Sequence, residues 1–410
     1  MVERIYILGG AQTDFAQNFS RSNKNLFDLF QASVSEGLED AKIEAENIDV
    51  GHVGNFVAEL FTGQGMLGGY FGHVDDGFYG MPSSRHEGAC ASGSLAILAA
   101  MADLESGRYE TACVTGLELM RNVSGEIAAQ NLGAAAWVGR EAEGARYLWP
   151  AMFSDLCDVY EERFGLDYAH LAEISKINFG NAKNNPNAQT RKWQFSDACF
   201  TQDDKQNPII EGWMRKQDCG QVTDGAATVI LATADRAKRH CKNHGLSIQE
   251  LAYIKGWGHT TAPMLMASKM EKSDINGYVF PLTRKAITDA YRRANISGPD
   301  DLDAIETHDC FSITEYMAIE HFGIAEPGKA WQAIEEEKIN MKGVIPINPS
   351  GGLIGQGHPV GATGVRMLLD GMKQTTENAG DMQVAGAKTV ATFNVGGSGT
   401  TNVSFVVSTA

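Results

Sequence analysis

The chain of 410 residues has no Cys-x-x-Cys pair among its seven cysteines, and no run of about 18 consecutive apolar residues. A membrane-spanning helix needs a run of that length, so the sequence predicts no membrane span. The N-terminus reads as a first strand rather than a secretory leader, and unpaired cysteines without a leader indicate free thiols in a reducing compartment. We therefore expect a cytoplasmic protein.

Basic residues are also scarce, since 34 lysines and arginines stand against 51 acidic residues and give a formal net charge of −17. This balance argues against nucleic acid or an anionic membrane as partner. One segment departs from it, because residues 174–196 contain no acidic residue. The segment, called here the cationic island, has a local charge of +4 from Lys176, Lys183, Arg191 and Lys192. The island could hold phosphates, or it could be an ordinary solvated surface.

Patterns typical of metal or nucleotide sites are weak. His240, Cys241 and His244 lie in a stretch rich in lysine and arginine without a second pair of ligands, so we expect no metal there. The glycines around His358 lack the dinucleotide spacing, and no phosphate-binding lysine accompanies them.

Strand-like and helix-like stretches alternate in two separate parts of the chain, as is typical of α/β layers. Residues 26–41 and 363–374 predict helices, and residues 111–116 and 389–394 predict strands. Residues 120–220 are less regular and richer in aromatic and polar residues, and an insertion of that length usually carries function. We predict an N-terminal half of residues 1–119 plus 221–250, an inserted domain of 120–220 and a C-terminal half of 251–410.

Cys90 lies among small residues at 88–93, directly before an apolar run with helical spacing at 94–106. That spacing places most of the apolar residues on one predicted buried face, namely Leu95, Leu98, Ala99, Ala102 and Leu104. Cys90 would then stand at a helix N-terminus, where free N–H groups and the helix dipole favour a thiolate. Taken alone, the motif also fits a buried structural cysteine.

The second part of the chain has further reactive groups. His308 and Cys310 lie between a short strand and a helix, His358 lies in a glycine-rich turn, and Gly396 and Gly397 lie in a glycine-rich hairpin. Each has a structural alternative, such as a helix cap, a core residue, an exposed loop or a tight turn. Together with Cys90 they form a complete set for thioester chemistry: a nucleophile, a base, a second acid–base group and backbone N–H donors.

Residues 88–93, the sequence His-Asp-Cys-Phe at 308–311 and the glycine-rich run 351–364 resemble signatures of the thiolase superfamily. The match runs nearly end to end, and the His-Asp-Cys-Phe form is similar to that of the sterol-carrier-protein-type thiolases. Most other thiolases carry Asn-Glu-Ala-Phe there and have their second cysteine in a C-terminal Cys-x-Gly turn. Asn394 occupies the position of that cysteine in this chain, so the resemblance implies that Cys310 has the role of the missing cysteine.

The resemblance implies a duplicated α/β thiolase fold of five layers, αβαβα, with a loop domain inserted in the first half. It implies acyl-CoA and CoA as substrates, no permanently bound cofactor or metal, and a homodimer or homotetramer, with a partner subunit left open. Because the family binds CoA with the loop domain, the resemblance favours contacts between the cationic island and CoA phosphates. We expect no sterol-carrier domain after the last strand.

The implied reaction is the reversible thiolytic cleavage of a 3-oxoacyl-CoA, or the reverse condensation of acetyl-CoA, in fatty acid or lipid metabolism. Cys90 would be the nucleophile, His358 its base, and Cys310 the group that moves a proton on the acetyl carbon. His358 and a water held by His308 would form one oxyanion hole. The second would consist of the N–H groups of Cys90 and of Gly396 or Gly397.

Two other functions remain open at this point: a ketosynthase-like condensing enzyme, and a non-catalytic acyl-CoA-binding subunit of a larger complex. The retained cysteines and histidines disfavour a relative that has lost its nucleophile. We interpret four aromatic residues of the insertion as packing residues rather than as the wall of an acyl tunnel, namely Trp137, Trp149, Phe153 and Trp193.

Overall fold

A computed structural model describes residues 4–275 and 277–409. Its strands are β1 (Ile5–Gln12), β2 (Val50–Gly54), β3 (Ser83–His86), β4 (Thr111–Glu118), β5 (Ile209–Glu211), β6 (Met214–Arg215), β7 (Gly225–Ala232), β8 (Ala252–Thr261), β9 (Ala304–Thr307), β10 (Thr389–Gly396) and β11 (Thr401–Ser408). Its helices are α1 (Leu26–Asp40), α2 (Ala58–Thr62), α3 (Phe71–Val74), α4 (Ser92–Glu105), α5 (Gly125–Leu132), α6 (Leu148–Phe164), α7 (Tyr168–Ala182), α8 (Ala234–His244), α9 (Met266–Met270), α10 (Pro281–Ala294), α11 (Ser312–Phe322), α12 (Ala330–Glu335) and α13 (Thr363–Thr375), and a π-helical turn spans Gly352–Gln356.

The two predicted halves share one mixed sheet, with the strand order β3-β2-β4-β7-β1-β8-β11-β10-β9. They meet at β1, which pairs antiparallel with β7 on one side and with β8 on the other. Ile5 pairs with Ile254 and Ile7 with Ala252, so backbone hydrogen bonds join the halves directly. The first strand, β1, thereby lies at the centre of the nine-stranded sheet.

Alternate residues of the strands face different helical layers, because successive side chains of a strand point to opposite faces. In the N-terminal half, Tyr6 packs in a cluster with α1 and α8, whereas Ile5 packs with α4 and α13. In the C-terminal half, Phe405 faces α4 and α13, and Val406 belongs to the cluster of α10 and α11. Helices α4 and α13 therefore form the middle of five layers, αβαβα, as expected.

The buried face of α4 differs from the prediction. The apolar spacing favoured Leu95 and Leu98, yet both are only partly buried, whereas Ala96, Ile97 and Ala100 are fully buried. Because α4 lies against the sheet and also against α13, small residues that permit close approach face its most crowded sides. Hydrophobic spacing alone does not identify such a face.

The insertion between β4 and β7 contains α5, α6, α7 and the β5–β6 hairpin. Its core is shared with the C-terminal half, since Leu156 and Leu171 belong to the same cluster as Ile313 of α11. The ring of Phe153 stacks on Phe311 with centroids 4.5 Å apart. The insertion thus covers the segment that follows Cys310. Within the described ranges, no helix combines the length and apolar character that crossing a bilayer requires.

Candidate active site

Cys90 lies in the short turn Ala89–Ala91 directly before α4, and His358 lies just before the short turn Val360–Ala362 that leads into α13. The turn of Cys90 is strained, because Ala89 has a φ of +51°, a left-handed conformation that is costly for a residue with a side chain. Ser92 supports the turn: its Oγ accepts from the N–H of Gly88 at 3.0 Å and donates to the Ala89 carbonyl at 2.6 Å. The strain and its support fix the position of the sulfur.

The structure brings together Cys90, His308 and His358, which lie far apart in the sequence. The Cys90 sulfur and one ring nitrogen of each histidine all lie within 4.8 Å of one another. The two imidazole rings are nearly perpendicular, with centroids 5.1 Å apart. Cys310 lines the same cavity as Cys90 and His358. All four side chains that the sequence motifs singled out therefore meet at one place.

This cavity, called here the Cys90 cavity, has a volume of about 310 Å³. Much of its wall is apolar, with contributions from Phe56, Leu132, Trp149, Phe153, Phe311 and Val360. Trp149 and Phe153 line the cavity in addition to packing, which differs from the interpretation made from the sequence, whereas Trp137 and Trp193 are exposed. The arrangement suits an apolar chain whose reacting end meets the sulfur.

The Cys90 thiol rests protonated. Burial raises its pKa to about 12, with a smaller increase from the nearby Glu118, while the backbone N–H groups of Gly397 and of Cys90 itself act in the opposite direction. Desolvation of the sulfur therefore opposes the thiolate that the helix N-terminus favours. The same N–H groups are positioned to stabilise negative charge beside the sulfur.

His358 is anchored through one ring nitrogen. Its Nδ1 lies 2.7 Å from Oγ1 of Thr363, and that hydroxyl donates to the Pro359 carbonyl at 3.1 Å. Burial, with a smaller contribution from Arg366, lowers the pKa of His358 to about 3, so the imidazole rests neutral. Its Nε2 is buried and has no hydrogen-bond partner among the described residues.

His308 is anchored in a similar way. Its Nδ1 lies 3.0 Å from Nδ2 of Asn394 and 3.5 Å from the backbone nitrogen of Val395. Burial lowers the pKa of His308 well below its usual value, and the nearby His358 and Arg366 lower it further. Nε2 of this ring is also buried without a partner in the described part of the chain.

Glu118, which the sequence analysis did not identify, connects the turns of the site. Its carboxylate accepts hydrogen bonds from the N–H groups of Phe56, Val57 and Gly361, at 3.0, 3.2 and 3.1 Å. Burial raises its pKa to about 7, although those N–H groups oppose the increase. The sequence does contain a signal for Glu118, namely an acidic residue at the end of the apolar strand β4. A buried charge at such a position needs hydrogen-bond partners.

Asp309, between His308 and Cys310, links the inserted domain to the glycine-rich turn that contains His358. Its carboxylate accepts from Nδ2 of Asn178, on α7, at 2.9 Å and from the N–H of Ile354 at 3.1 Å. A side chain at Gly352, which has a φ of +60°, would overlap this carboxylate. The glycine-rich turn is therefore shaped in part by its close approach to Asp309.

The two predicted hairpin donors differ in position. A Cβ at Gly396 would overlap the Gly88 carbonyl oxygen, so the absence of a side chain lets the hairpin approach the Cys90 turn. Gly397, with a φ of +61°, provides the N–H group that faces the Cys90 sulfur.

Two members of the cationic island line a different cavity. Lys183 and Arg191 lie on the wall of a cavity of about 470 Å³, together with Lys373. Nη1 and Nη2 of Arg191 each lie 2.8 Å from a carboxylate oxygen of Asp14, so its charge is already paired. We call this the cationic cavity.

The other two members of the island are exposed. Nζ of Lys176 lies 3.6 Å from the Glu173 carboxylate, and Lys192 faces solvent. The residues described on the wall of the Cys90 cavity include instead Lys216, which the sequence analysis did not select. The assignment of CoA phosphates to the island stays a prediction, and this placement does not favour it.

A thiol beside two imidazoles, at the junction of two layered α/β halves, defines a class of enzymes that transfer acyl groups through cysteine. Sequence profiles of one family match both halves of the chain. The profile described as "Thiolase, N-terminal domain" matches residues 5–178, and the one described as "Thiolase C-terminal domain-like" matches residues 266–409. The chain belongs to the thiolase family.

Individual relatives agree with this assignment. The acetyl-CoA acetyltransferase of Methanothermobacter thermautotrophicus is 31% identical over 398 residues, which cover 97% of each chain. The sterol carrier protein 2 of Gallus gallus is 28% identical over 404 residues, which cover 97% of this chain and 70% of that protein. The predicted family and thiolase activity are confirmed, and the protein is an acyltransferase.

Solved structures show the same fold. The "Ltp2-ChsH2(DUF35) aldolase" has a TM-score of 0.78 at 19% identity and covers 100% of this chain and 99% of that chain. The human mitochondrial 3-ketoacyl-CoA thiolase in complex with CoA has a TM-score of 0.66 at 16% identity and covers 100% and 98%. The predicted thiolase fold is confirmed.

Proposed function

We propose that the thiolase reaction of this protein proceeds through an acyl group on Sγ of Cys90. The observation that carries the proposal is the cluster in which this sulfur and a nitrogen each of His308 and His358 lie within 4.8 Å of one another. Thiol nucleophiles need a nearby base, and an imidazole at this distance is suited to that role.

The proposed cleavage has two stages. His358 takes the proton of Cys90, the thiolate attacks the keto carbon of a 3-oxoacyl-CoA, and the carbon–carbon bond breaks. Its electron pair leaves as the enolate of acetyl-CoA, which Cys310 protonates at carbon. The thiol of free CoA then takes the acyl group from Cys90, its proton restores Cys310, and the imidazolium returns its proton to Cys90.

Two groups of donors would stabilise the developing negative charges. The N–H groups of Cys90 and Gly397 serve the oxygen of the acyl group on the sulfur, and their effect on the pKa of Cys90 supports this role. His308 and His358 serve the thioester oxygen of the acetyl-CoA enolate, because their Nε2 atoms are buried and without other partners among the described residues.

Lys216 is the cation we propose for a CoA phosphate. It is exposed and lies on the wall of the Cys90 cavity, so its ammonium group is available to a ligand that enters there. The apolar wall near Trp149 and Phe153 would contact the acyl and pantetheine portions.

We further propose a cytoplasmic homo-oligomer, a homodimer or homotetramer. Cysteines at all seven positions are free thiols, which fits a reducing compartment. The strand β3 is a sheet edge with exposed serines, and nearby Met66 and Tyr79 are 88% and 91% exposed, a surface suited to a second copy. One structural neighbour is named as a pairing, Ltp2-ChsH2(DUF35), and a partner subunit for this chain is a further proposal.

Mass spectrometry of the protein incubated with acetoacetyl-CoA or acetyl-CoA tests the covalent step. We expect an acyl adduct on the Cys90 peptide, and no adduct in Cys90→Ala. Cys219→Ala is the matched control, since Cys219 is a second thiol on the same wall, and this variant should keep the adduct. An adduct on Cys219 or Cys310 in the Cys90→Ala protein would contradict the assignment, as would a folded, reduced protein that forms none.

A further inference from the structure

We propose that buried hydrogen bonds hold the two active-site histidines in opposite neutral tautomers, with Asn394 and Thr363 as the positioning residues. His308 would carry its proton on Nε2, whereas His358 would carry its proton on Nδ1 and present a lone pair at Nε2. The proposal rests on the role of Cys90 as nucleophile proposed above.

The tautomer of His308 follows from the donors around its Nδ1. The backbone N–H of Val395 can only donate, and it points at Nδ1 from 3.5 Å, which makes this nitrogen an acceptor. The amide of Asn394 adds a second donor, Nδ2, at 3.0 Å. The single ring proton of the neutral imidazole is therefore on Nε2.

The orientation of the Asn394 amide is itself fixed. Ser94, in the first turn of α4, donates from Oγ to Oδ1 of Asn394 at 2.9 Å. An amide rotated by half a turn would aim Oδ1 at the lone pair of His308 and leave two acceptors face to face. Ser94, Asn394 and His308 are each 1% exposed, so water cannot compensate for that arrangement.

The tautomer of His358 follows from the hydroxyl of Thr363. Donation of its single proton to the Pro359 carbonyl at 3.1 Å leaves only lone pairs for Nδ1 at 2.7 Å. With the hydroxyl in this orientation, Nδ1 is the protonated nitrogen. The lone pair of the ring is on Nε2, the nitrogen without a partner in the described structure.

Opposite tautomers suit the two different needs of the reaction. Nε2 of His358 can take the Cys90 proton because it has a lone pair. Nε2–H of His308 can donate to the thioester oxygen as the carbon–carbon bond breaks and that oxygen becomes negative. A lone pair at Nε2 of His308 would instead repel the enolate. Burial lowers the pKa of both rings and so keeps each ring neutral. A neutral ring carries one N–H proton, and its tautomer is therefore defined.

Nitrogen-15 NMR of the histidine-labelled wild-type protein tests the tautomers without reference to activity. The shifts of Nδ1 and Nε2 distinguish a protonated nitrogen from one with a lone pair. We expect the His308 ring to be protonated at Nε2 and the His358 ring to be protonated at Nδ1. The signals of each ring are assigned by their disappearance in His308→Gln or in His358→Gln. The same tautomer in both rings would overturn the proposal.

Asn394→Asp tests the function of the His308 tautomer. A carboxylate only accepts, and at the 3.0 Å of the Asn394 contact it outweighs the longer Val395 contact, so it draws the ring proton to Nδ1 and leaves a lone pair at Nε2. Loss of one oxyanion donor lowers a rate by about 10²–10³-fold, and we expect this for thiolysis of acetoacetyl-CoA. Acylation of Cys90 by acetyl-CoA, which uses the N–H of Gly397, should change by less than about tenfold. Ser94→Ala, which frees the amide to rotate, should show a smaller loss of the same kind.

Thr363→Val tests the other anchor with a side chain of the same shape. Because both stages need the Cys90 thiolate, the rates of acylation and of thiolysis should fall together, and Thr363→Ser should restore both.

The control for Asn394→Asp is Asn207→Asp, which also buries a new carboxyl group. Asn207 is a buried asparagine that contacts Tyr168 in the insertion, and this variant should leave both rates of the folded protein unchanged. Equal losses of acylation and thiolysis in Asn394→Asp would overturn the selective role. A wild-type protein without an adduct on Cys90 would instead reject the proposed function.

Discussion

The Cys90 cavity and the cationic cavity were both indicated by the sequence, the first by motifs and the second by charge. In the first, Nδ1 of His308 and Nδ1 of His358 each have a hydrogen-bond partner, and both rings are buried. In the second, Lys183 is exposed and the charge of Arg191 is paired with Asp14. Buried polar groups with fixed partners define the geometry of a site, whereas a run of like charges in the sequence does not by itself show which charges are paired and which are available to a ligand.

Removal of Cys310, one of three cysteines on the wall of the Cys90 cavity, is expected to have the largest effect. Cys310→Ala should lower acetoacetyl-CoA thiolysis by about 10²–10⁴-fold, because general acid–base catalysis by one positioned group contributes that much. The acyl adduct on Cys90 should still form from acetyl-CoA. The measurement is steady-state thiolysis beside rapid-quench mass spectrometry of the adduct.

Cys157→Ala provides the control, since this thiol is fully buried in the core of the insertion and should affect stability rather than the two stages. If Cys310→Ala kept full thiolysis, Cys310 would not be the group that moves the proton. If it also lost the adduct, its role would extend to the first stage.

Periodicity and motifs were sufficient to predict most of the architecture. The predicted helix 26–41 is Leu26–Asp40, and the predicted helix 363–374 is Thr363–Thr375. These elements are defined by residues close together in the chain, and the glycine-rich motifs identified Cys90 and His358 in the same local way.

The contacts that orient the reactive groups could not be predicted from spacing. Ser94 and Asn394 are 300 positions apart, so only the folded chain shows that they act together on His308. The protonated state of Cys90 also depends on the whole fold, because burial by distant segments outweighs the local helix N-terminus. Sequence therefore indicated which side chains meet in the Cys90 cavity, whereas the positions of their protons depend on tertiary structure.

A buried imidazole outside the catalytic centre allows the effect of burial to be measured apart from catalysis. Burial, with a smaller contribution from Arg284, lowers the pKa of His321 from 6.5 to about 3. Below about pH 6.5 the unfolded chain binds a proton at this residue and the folded protein does not, so stability present above pH 6.5 is lost as the pH falls toward 3.

His321→Gln removes this contribution. Between pH 7 and pH 4, the wild type should lose on the order of 3 kcal/mol more free energy of unfolding than the variant, at about 1.4 kcal/mol per pH unit. Urea unfolding at the two pH values measures the difference. An unchanged dependence on pH in His321→Gln would show that His321 is not held neutral.

The smallest expected effect compares the cations of the two cavities directly. Lys216→Ala should raise the KM for CoA about fivefold with little change in kcat, because an exposed charge pair with a phosphate contributes about 1 kcal/mol to binding of ground and transition states alike. Lys183→Ala should change KM by less than about twofold. Initial rates over a range of CoA concentrations measure both, and the Lys216 effect should shrink as salt is added. A larger increase in KM for Lys183→Ala than for Lys216→Ala would show that CoA phosphates reach the cationic cavity. The local charge of the sequence would then have identified the binding surface better than the wall of the Cys90 cavity does.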